Sequence, residues 1–257
     1  MNPFLKFIRA FYSVYAMLTF VLLLLVIFPF VLLASVFGKI KGGNIIYWIC
    51  GIWSDVWFFL IGVWAKKIIQ TNAPQKNEQY IFVANHISYM DIPMIVKTIR
   101  QPVRALGKAE IAKVPVFGFL YRYGAIMVDR SSLEARKKSV LQLKSVLKKG
   151  ISVFIFPEGT FNETGKALKS FYDGAFRIAI ETQTPIKPVL FLDNYDLLNN
   201  RELLGLKHGK SRAVFLEEIS PEGFTLKQIS LFKQKVYTIM ENKLKDYHVS
   251  WIQSPVE

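Results

Sequence analysis

The chain has 257 residues, of which 52% are hydrophobic, and a formal net charge of +14 at pH 7. This length suits one catalytic domain of about 200 residues with a short appendage. The single cysteine, Cys50, excludes an intrachain disulfide, and the three histidines lack metal-ligand spacing, so we expect no metal ion. Residues 95–150 carry thirteen basic and three acidic side chains, which predicts a positive surface that attracts phosphate groups.

The first apolar segment runs from residue 10 to residue 38 without a charged side chain, and Arg9 and Lys39 bracket it. A hydrocarbon core is spanned by about 20 apolar residues, so this segment predicts insertion into a membrane. It is too long for a cleaved signal peptide, and no small-residue cleavage motif follows it. Pro29 would either kink the helix or mark the bend of a re-entrant hairpin.

A second apolar segment covers residues 45–65 and holds four of the five tryptophans. One helical face would carry Trp53, Trp57, Leu60 and Trp64. Indole rings prefer the headgroup boundary, and Asp55 would be costly at the bilayer centre. We therefore expect a helix that lies in or near the membrane interface, with a second spanning helix as the alternative.

Beyond Lys66 and Lys67 the pattern changes to short apolar runs that alternate with longer amphipathic ones. Strands are predicted over residues 80–84, 125–128, 151–156, 186–192 and 213–216. Helices are predicted over residues 91–98, 131–149, 173–181 and 226–244. This alternation favours an α/β fold. We divide the chain into membrane-anchoring helices over residues 1–67 and a catalytic domain over residues 68–257.

The strand that ends at Ala84 leads into a polar segment that contains Asn85, His86 and Asp91. Open α/β sheets place catalytic groups at the carboxyl ends of their strands. His86 could act as a general base near neutral pH, and Asp91 is near enough in sequence to orient the imidazole. The alternative is a surface histidine beside an aspartate that caps a helix.

Two further polar segments follow predicted strands. Residues 156–160, Phe-Pro-Glu-Gly-Thr, come after a strongly apolar strand and would lie at the same sheet edge, although an ordinary strand-ending turn would look similar. Residues 124–130 place Arg130 after another short strand, and arginine binds phosphate through two parallel hydrogen bonds. A solvated arginine paired with Asp129 is the alternative there.

Together these segments resemble the glycerolipid acyltransferase family. The four matching blocks are Asn85, His86 and Asp91; Gly124 to Arg130; Phe156 to Thr160; and Pro185 to Val189. Shorter matches lie at residues 107–110, 115–118 and 174–177. The resemblance covers residues 75–220 in the order and spacing of the family, and it implies a mixed sheet flanked by helices.

The resemblance implies transfer of a fatty acyl group from a thioester to the free hydroxyl of a lysophospholipid, most simply lysophosphatidate. His86 would be the general base and Asp91 its partner. The residues expected to bind substrate are Asn85, Arg130, Glu158, Gly159, Thr160 and Lys108. We expect acyl-CoA or acyl-carrier protein as co-substrate, no further cofactor, contact with membrane lipids but not with nucleic acid, and a catalytic domain that faces the cytoplasm.

Two departures from the family leave the acceptor open. Tyr172 and Asp173 replace basic residues, and Phe161-Asn162-Glu163 follows the third block where arginine or serine is usual. Another lyso-lipid, such as a lyso-amino-lipid or a lysophosphoglycerol, is the alternative acceptor. A lipid hydrolase that uses Ser88 is less favoured, because the chain has no Gly-x-Ser-x-Gly segment.

Overall fold

The structure is a computed structural model that describes residues 3–71, 74, 78–128 and 133–253, without the side chains of residues 133 and 135–137. Its helices are α1 (Pro3–Ser35), α2 (Gly43–Leu60), α3 (Asp91–Thr98), α4 (Phe117–Gly124), α5 (Leu133–Leu147), α6 (Gly174–Thr182), α7 (Asn194–Leu197) and α8 (Ile229–Asp246). Its strands are β1 (Val63–Ile69), β2 (Ile81–Ala84), β3 (Val103–Lys108), β4 (Ala125–Val128), β5 (Ser152–Ile155), β6 (Ile186–Phe191) and β7 (Gly209–Phe215).

The seven strands form one sheet in the order β1-β7-β6-β2-β5-β3-β4. Strands β6 and β7 pair antiparallel, whereas the other neighbouring strands pair parallel. The predicted α/β fold with a mixed sheet flanked by helices is therefore confirmed. Because β2 to β6 run in one direction, their carboxyl ends meet at a single edge, where the polar segments after β2, β4 and β5 begin.

Helices cover both faces of the sheet, which explains why β2 is apolar at every position. Ile81 and Val83 belong to the core that the sheet forms with α5, α6 and α8, whereas Phe82 and Ala84 belong to the core on the side of α1 to α4. Alternate residues of a strand point to opposite faces, so each set meets a different layer.

Strand β1 corrects the helix predicted over residues 45–65. Helix α2 ends at Leu60, and Gly62 follows with a φ of 56°, a left-handed conformation that glycine adopts without strain. Trp64 therefore lies in a strand, and its placement on a helical face with Trp53 was wrong. β1 pairs with β7 over seven residues and crosses the boundary between residues 67 and 68, so the sheet of the catalytic domain begins at Val63.

Two of the tryptophans of the second apolar segment pack inside the protein. The rings of Trp53 and Trp57 stack with centroids 5.7 Å apart, and both meet the edge of Phe20 on α1. The indole N–H of Trp57 donates to the carbonyl of Ala16 at 3.0 Å. Trp48 remains 65% exposed. Trp53 and Trp57 therefore join α2 to α1, whereas Trp64 of the same predicted face is 68% exposed.

Helix α1 presents much of its apolar surface to the outside, as Phe7, Phe11 and Leu33 illustrate. Of the helices in the described part of the chain, α1 alone is long and apolar enough to cross a membrane. The helix continues through Pro29 to Ser35, so the chain does not reverse at this proline. It reverses at the connection that ends in a turn of π-helix at Gly38–Gly42. Helix α1 is thus a candidate membrane anchor that also packs on the sheet layer through α2.

Charged groups fasten the helical pair to the rest of the fold. Asp55 on α2 accepts hydrogen bonds from Lys97 at 2.6 Å and from Arg100 at 2.5 Å, which offsets the cost of a carboxylate in an apolar helix. Arg104 on β3 is 3% exposed, and its guanidinium donates to the carbonyl of Lys39 at 3.1 Å and to the side chain of Asn44 at 2.8 Å. The buried arginine thus holds the α1–α2 connection against the sheet.

Replacing Arg104 with alanine should destabilise the protein by about 1–3 kcal/mol, because part-buried acceptors at the α1–α2 connection lose their donor. Arg100→Ala is the matched control, since Arg100 is half exposed and its ion pair with Asp55 should contribute about 0–1 kcal/mol. Thermal unfolding of both variants in detergent measures the difference. Equal losses would show that Arg104 is no special anchor.

Candidate active site

His86 and Asp91, which follow β2, form a direct hydrogen bond between Nδ1 and Oδ2 at 2.8 Å. Asp91 is fully buried at the start of α3. The same carboxylate oxygen accepts the backbone N–H groups of Ile87 and Ser88 at 2.8 and 3.0 Å, which folds the loop tightly around it. Because an ionised carboxylate only accepts, Nδ1 carries the proton, and Nε2 is the nitrogen that can take a proton from a substrate.

The imidazole of His86 lies between two phenylalanine rings. Phe156 stacks on it with centroids 3.9 Å apart and an interplanar angle of 13°, and Phe161 lies 4.2 Å away at 48°. Tyr89 meets the edge of Phe161 at 4.8 Å. With its Nδ1 side bonded to Asp91, the ring is held on three sides and is 14% exposed. The arrangement restricts both rotation of the ring and access of water.

Glu158 joins the loop after β2 to the loop after β5. Its Oε1 accepts the N–H of His86 at 2.9 Å, and its Oε2 accepts the N–H of Lys169 at 2.8 Å. The side chain is fully buried, and burial, with a smaller contribution from Asp91, raises the pKa of Glu158 to about 8. Glu158 was predicted to contact substrate, but both of its oxygens are engaged by the backbone.

Asn85, also predicted to bind substrate, bonds the backbone of β6. Its side chain is fully buried, donates to the carbonyl of Phe191 at 2.9 Å and accepts the N–H of the same residue at 2.9 Å. This pair of bonds ties the end of β2 to the end of β6. The amide therefore supports the loop that carries His86 and is not among the residues that line the cavity.

Three other predicted residues, Gly159, Thr160 and Lys108, line the cavity beside His86. Gly159 has a φ of 74°, which the tight turn after β5 requires. Its N–H donates to the carbonyl of Phe156 at 3.0 Å. The ammonium of Lys169 donates to the hydroxyl of Thr160 at 2.8 Å, so a second cation lies at this rim.

Arg130 and its neighbour Asp129 lie outside the described residues. Strand β4 ends at Val128, at the sheet edge where the other polar segments begin, so phosphate binding by Arg130 stays a prediction. Within the described residues, no group of three or more histidine, cysteine, aspartate or glutamate side chains could hold a metal ion.

His86 opens onto a cavity of about 950 Å³ with a mostly apolar lining. Helices α1 and α2 form one wall of it, with Ala16, Phe20, Leu24, Tyr47, Trp53 and Trp57 among the lining residues. Helices α3 and α4 contribute Ile95 and Leu120, and β3 contributes Ala105. The segment expected to serve only as an anchor therefore helps to enclose the space next to the candidate base.

The sequence did not reveal the cavity wall, the two phenylalanines around His86, or Asn194, which donates to the second oxygen of Asp91 at 2.8 Å. Phe161 carried a local signal, because it departs from the residue usual in the family. Asn194 carried none, since it lies 103 residues from Asp91 in the sequence and reaches it only through the fold.

Comparison with known proteins agrees with this geometry. Residues 66–192 match the acyltransferase family. The chain is 26% identical over 218 residues to a 1-acyl-sn-glycerol-3-phosphate acyltransferase from Cocos nucifera, covering 84% of this chain and 68% of that protein. It is 26% identical over 206 residues to the chloroplastic 1-acyl-sn-glycerol-3-phosphate acyltransferase LPAT1 from Arabidopsis thaliana, covering 78% of this chain but only 55% of that protein.

The fold also matches a solved structure, that of the 1-acyl-sn-glycerophosphate acyltransferase PlsC from Thermotoga maritima. The TM-score is 0.72 at 23% identity, with 95% of this chain and 100% of that chain covered. The His86–Asp91 pair lies inside the segment that matches the acyltransferase family. Residues 66–192 of the chain form a domain of the acyltransferase family.

Glu158→Gln should remove a pH-dependent contribution to stability. Because the pKa of Glu158 rises from 4.5 to about 8 on folding, the folded protein holds a proton that the unfolded chain has released. The stability that this proton contributes is therefore complete at a pH below the unfolded pKa of 4.5. It declines as the pH rises toward the folded pKa of about 8 and levels off above that pH. The stability advantage of the wild type over Glu158→Gln should shrink across that range.

The test measures the unfolding temperatures of wild type and Glu158→Gln from pH 4.5 to above about 8, and the difference between them should shrink as the pH rises. Glu222→Gln is the matched control, because Glu222 is exposed and should show a constant difference from wild type. A constant difference for Glu158→Gln as well would contradict the raised pKa.

Proposed function

We propose that this protein transfers a fatty acyl group from an acyl thioester to the free hydroxyl of 1-acyl-sn-glycerol-3-phosphate, which yields phosphatidate. The observation that carries the proposal is the His86–Asp91 pair at the wall of a large apolar cavity. The names of the relatives from Cocos nucifera and Arabidopsis thaliana support this choice of acceptor.

The proposed reaction begins when Nε2 of His86 removes the proton of the acceptor hydroxyl as its oxygen attacks the thioester carbonyl. The carbonyl oxygen becomes an oxyanion in the tetrahedral intermediate. Collapse of the intermediate expels the thiolate, which takes the proton from the imidazolium and leaves as the free thiol. Asp91 stabilises the imidazolium between these two steps and holds the ring in the required tautomer.

The cavity suits the hydrocarbon part of the substrates. Ligand sites are commonly apolar hollows with a few polar groups at the point of chemistry, and here His86 and Thr160 lie among aliphatic and aromatic side chains. A lysolipid and its product both reside in the bilayer. We propose that α1 anchors the protein in the membrane, so that the acyl chains reach this space without leaving an apolar environment.

The acceptor phosphate would meet cations at the rim of the cavity. Lys108 lines the cavity, Lys169 bonds Thr160, and we propose that Arg130 follows β4 at the same edge. We further propose that the domain faces the cytoplasm, where a lone Cys50 remains reduced and soluble thioester donors can approach the basic residues 95–150.

A different lyso-lipid is the second candidate acceptor. A shallow pocket that shares Thr160 and Phe161 with the main cavity is lined by both Lys169 and Glu163, a pairing of charges that suits a zwitterionic headgroup. Hydrolysis is less well supported, because the buried hydroxyl of Ser88 donates to the carbonyl of Leu198 at 2.6 Å. Purified protein, a panel of lysolipids and both donor types would distinguish these reactions by their products.

His86→Ala should lower kcat by roughly 10²–10⁴-fold, because the acceptor loses its general base. The variant should stay folded and should still associate with membranes. His208→Ala is the matched control and should keep its activity, since His208 is exposed and lies away from the cavity. Initial rates with a labelled thioester measure the effect, and near-normal turnover of His86→Ala would rule out the mechanism.

Arg130→Ala should raise the KM for lysophosphatidate more than the KM for the acyl donor, since a lost phosphate contact weakens binding of the acceptor alone. Both constants are obtained by varying each substrate at a saturating level of the other. A change in the KM for the acyl donor alone would show that Arg130 binds the acyl donor and not lysophosphatidate.

A further inference from the structure

The carboxylate of Asp91 is held from two sides of the molecule. Its Oδ2 accepts hydrogen bonds from the loop after β2, including the bond from His86. Its Oδ1 accepts one bond from Nδ2 of Asn194 at 2.8 Å. Asn194 is fully buried at the start of α7, far along the chain from the motif that contains Asp91.

A serine on β7 determines which way the Asn194 amide faces. Oγ of Ser211 lies 2.5 Å from Oδ1 of Asn194, and Ser211 is also fully buried. Since an ionised Asp91 only accepts hydrogen bonds, the NH₂ group of the amide must face it. The amide oxygen then faces Ser211, whose hydroxyl must donate. The donors therefore run in one direction, from Ser211 through Asn194 to Asp91.

The backbone around this contact is fixed on both sides. Asp193 accepts the N–H and the guanidinium of Arg212 on β7, with distances from 2.6 to 2.9 Å. At the other end of α7, the hydroxyl of Ser88 donates to the carbonyl of Leu198 at 2.6 Å. Helix α7 thus connects β7 to the loop that carries His86.

We propose that Asn194 positions the carboxylate of Asp91, and that Ser211 fixes the orientation of the Asn194 amide. Without the amide, Oδ1 of Asp91 is a buried acceptor that has lost its Asn194 donor, and the carboxylate is held through Oδ2 alone. The bond to Nδ1 of His86 then loses its alignment when the ring becomes charged. The inference rests on the proposed role of His86 as base, but not on the identity of the acceptor.

The first experiment compares Asn194→Ala with Asn199→Ala in the full-length protein. Asn194→Ala should lower kcat by roughly 10- to 100-fold with little change in either KM, because misalignment affects the chemical step rather than binding. Asn199→Ala is the same substitution in the same segment, and the Asn199 side chain accepts the N–H of Arg201 as its one hydrogen bond within the described part of the chain. It should stay within about two-fold of wild type. Ser211→Ala should lower kcat in the same sense by a smaller factor.

The second experiment asks whether Asn194 acts through Asp91. In an Asp91→Asn background, Asn194→Ala should have much less effect on kcat than in wild type, since coupled residues are not additive. The rate at which diethyl pyrocarbonate modifies the peptide that contains His86, followed by mass spectrometry, gives a readout that needs no substrate. It should change in Asn194→Ala and not in Asn199→Ala.

The proposal is overturned if Asn194→Ala keeps kcat within about two-fold of wild type, changes only KM, or is fully additive with Asp91→Asn. If Asn194→Ala does not fold, the same measurements are made on Ser211→Ala, and their results test the proposal instead. Wild-type protein that is inactive on every lysolipid would overturn the proposed function instead, and the modification rate of His86 would still test the part played by Asn194.

Discussion

The buried carboxylate of Asp91 is the group around which the site is organised. Three of its hydrogen-bond donors come from the short loop after β2, and the fourth comes from Asn194 beyond β6. A buried charge is stable only when its hydrogen bonds are complete, so the loop has to turn back and α7 has to lie beside it. The orientation of the His86 imidazole follows from both conditions, and with it the nitrogen that remains for chemistry.

Helices α1 and α2 share one hydrophobic core with the sheet. Residues of α1 and α2, such as Leu24 and Trp57, are buried together with Phe82 and Phe154 of the central strands. The cavity beside His86 lies within this layer. The residues of α1 and α2 that line the cavity, such as Leu24 and Trp57, therefore belong to the same core as the sheet.

Two motif residues, Asn85 and Glu158, bond the backbone of the site through their side chains. Asn85 links the ends of β2 and β6, and Glu158 links the loops after β2 and β5. Each lies at the end of a parallel strand, where the chain leaves the sheet and its N–H and C=O groups lose their regular partners. Buried side chains that supply those partners keep the loops in one conformation, which a catalytic histidine requires.

The sequence by itself determined the elements whose signal is local. Helix α3 and strands β2 and β4 lie where periodicity placed them, and the five-residue spacing of His86 and Asp91 allowed the bond between them. Only the tertiary structure decided the rest. Trp64 lies in a strand because β1 pairs with β7, and Trp53 is buried because its ring packs against Phe20. Asn194 bonds Asp91 because the order of the strands places α7 beside the loop after β2. These outcomes depend on contacts between distant segments, and such contacts form only when the sheet is assembled, so no local pattern of residues encodes them.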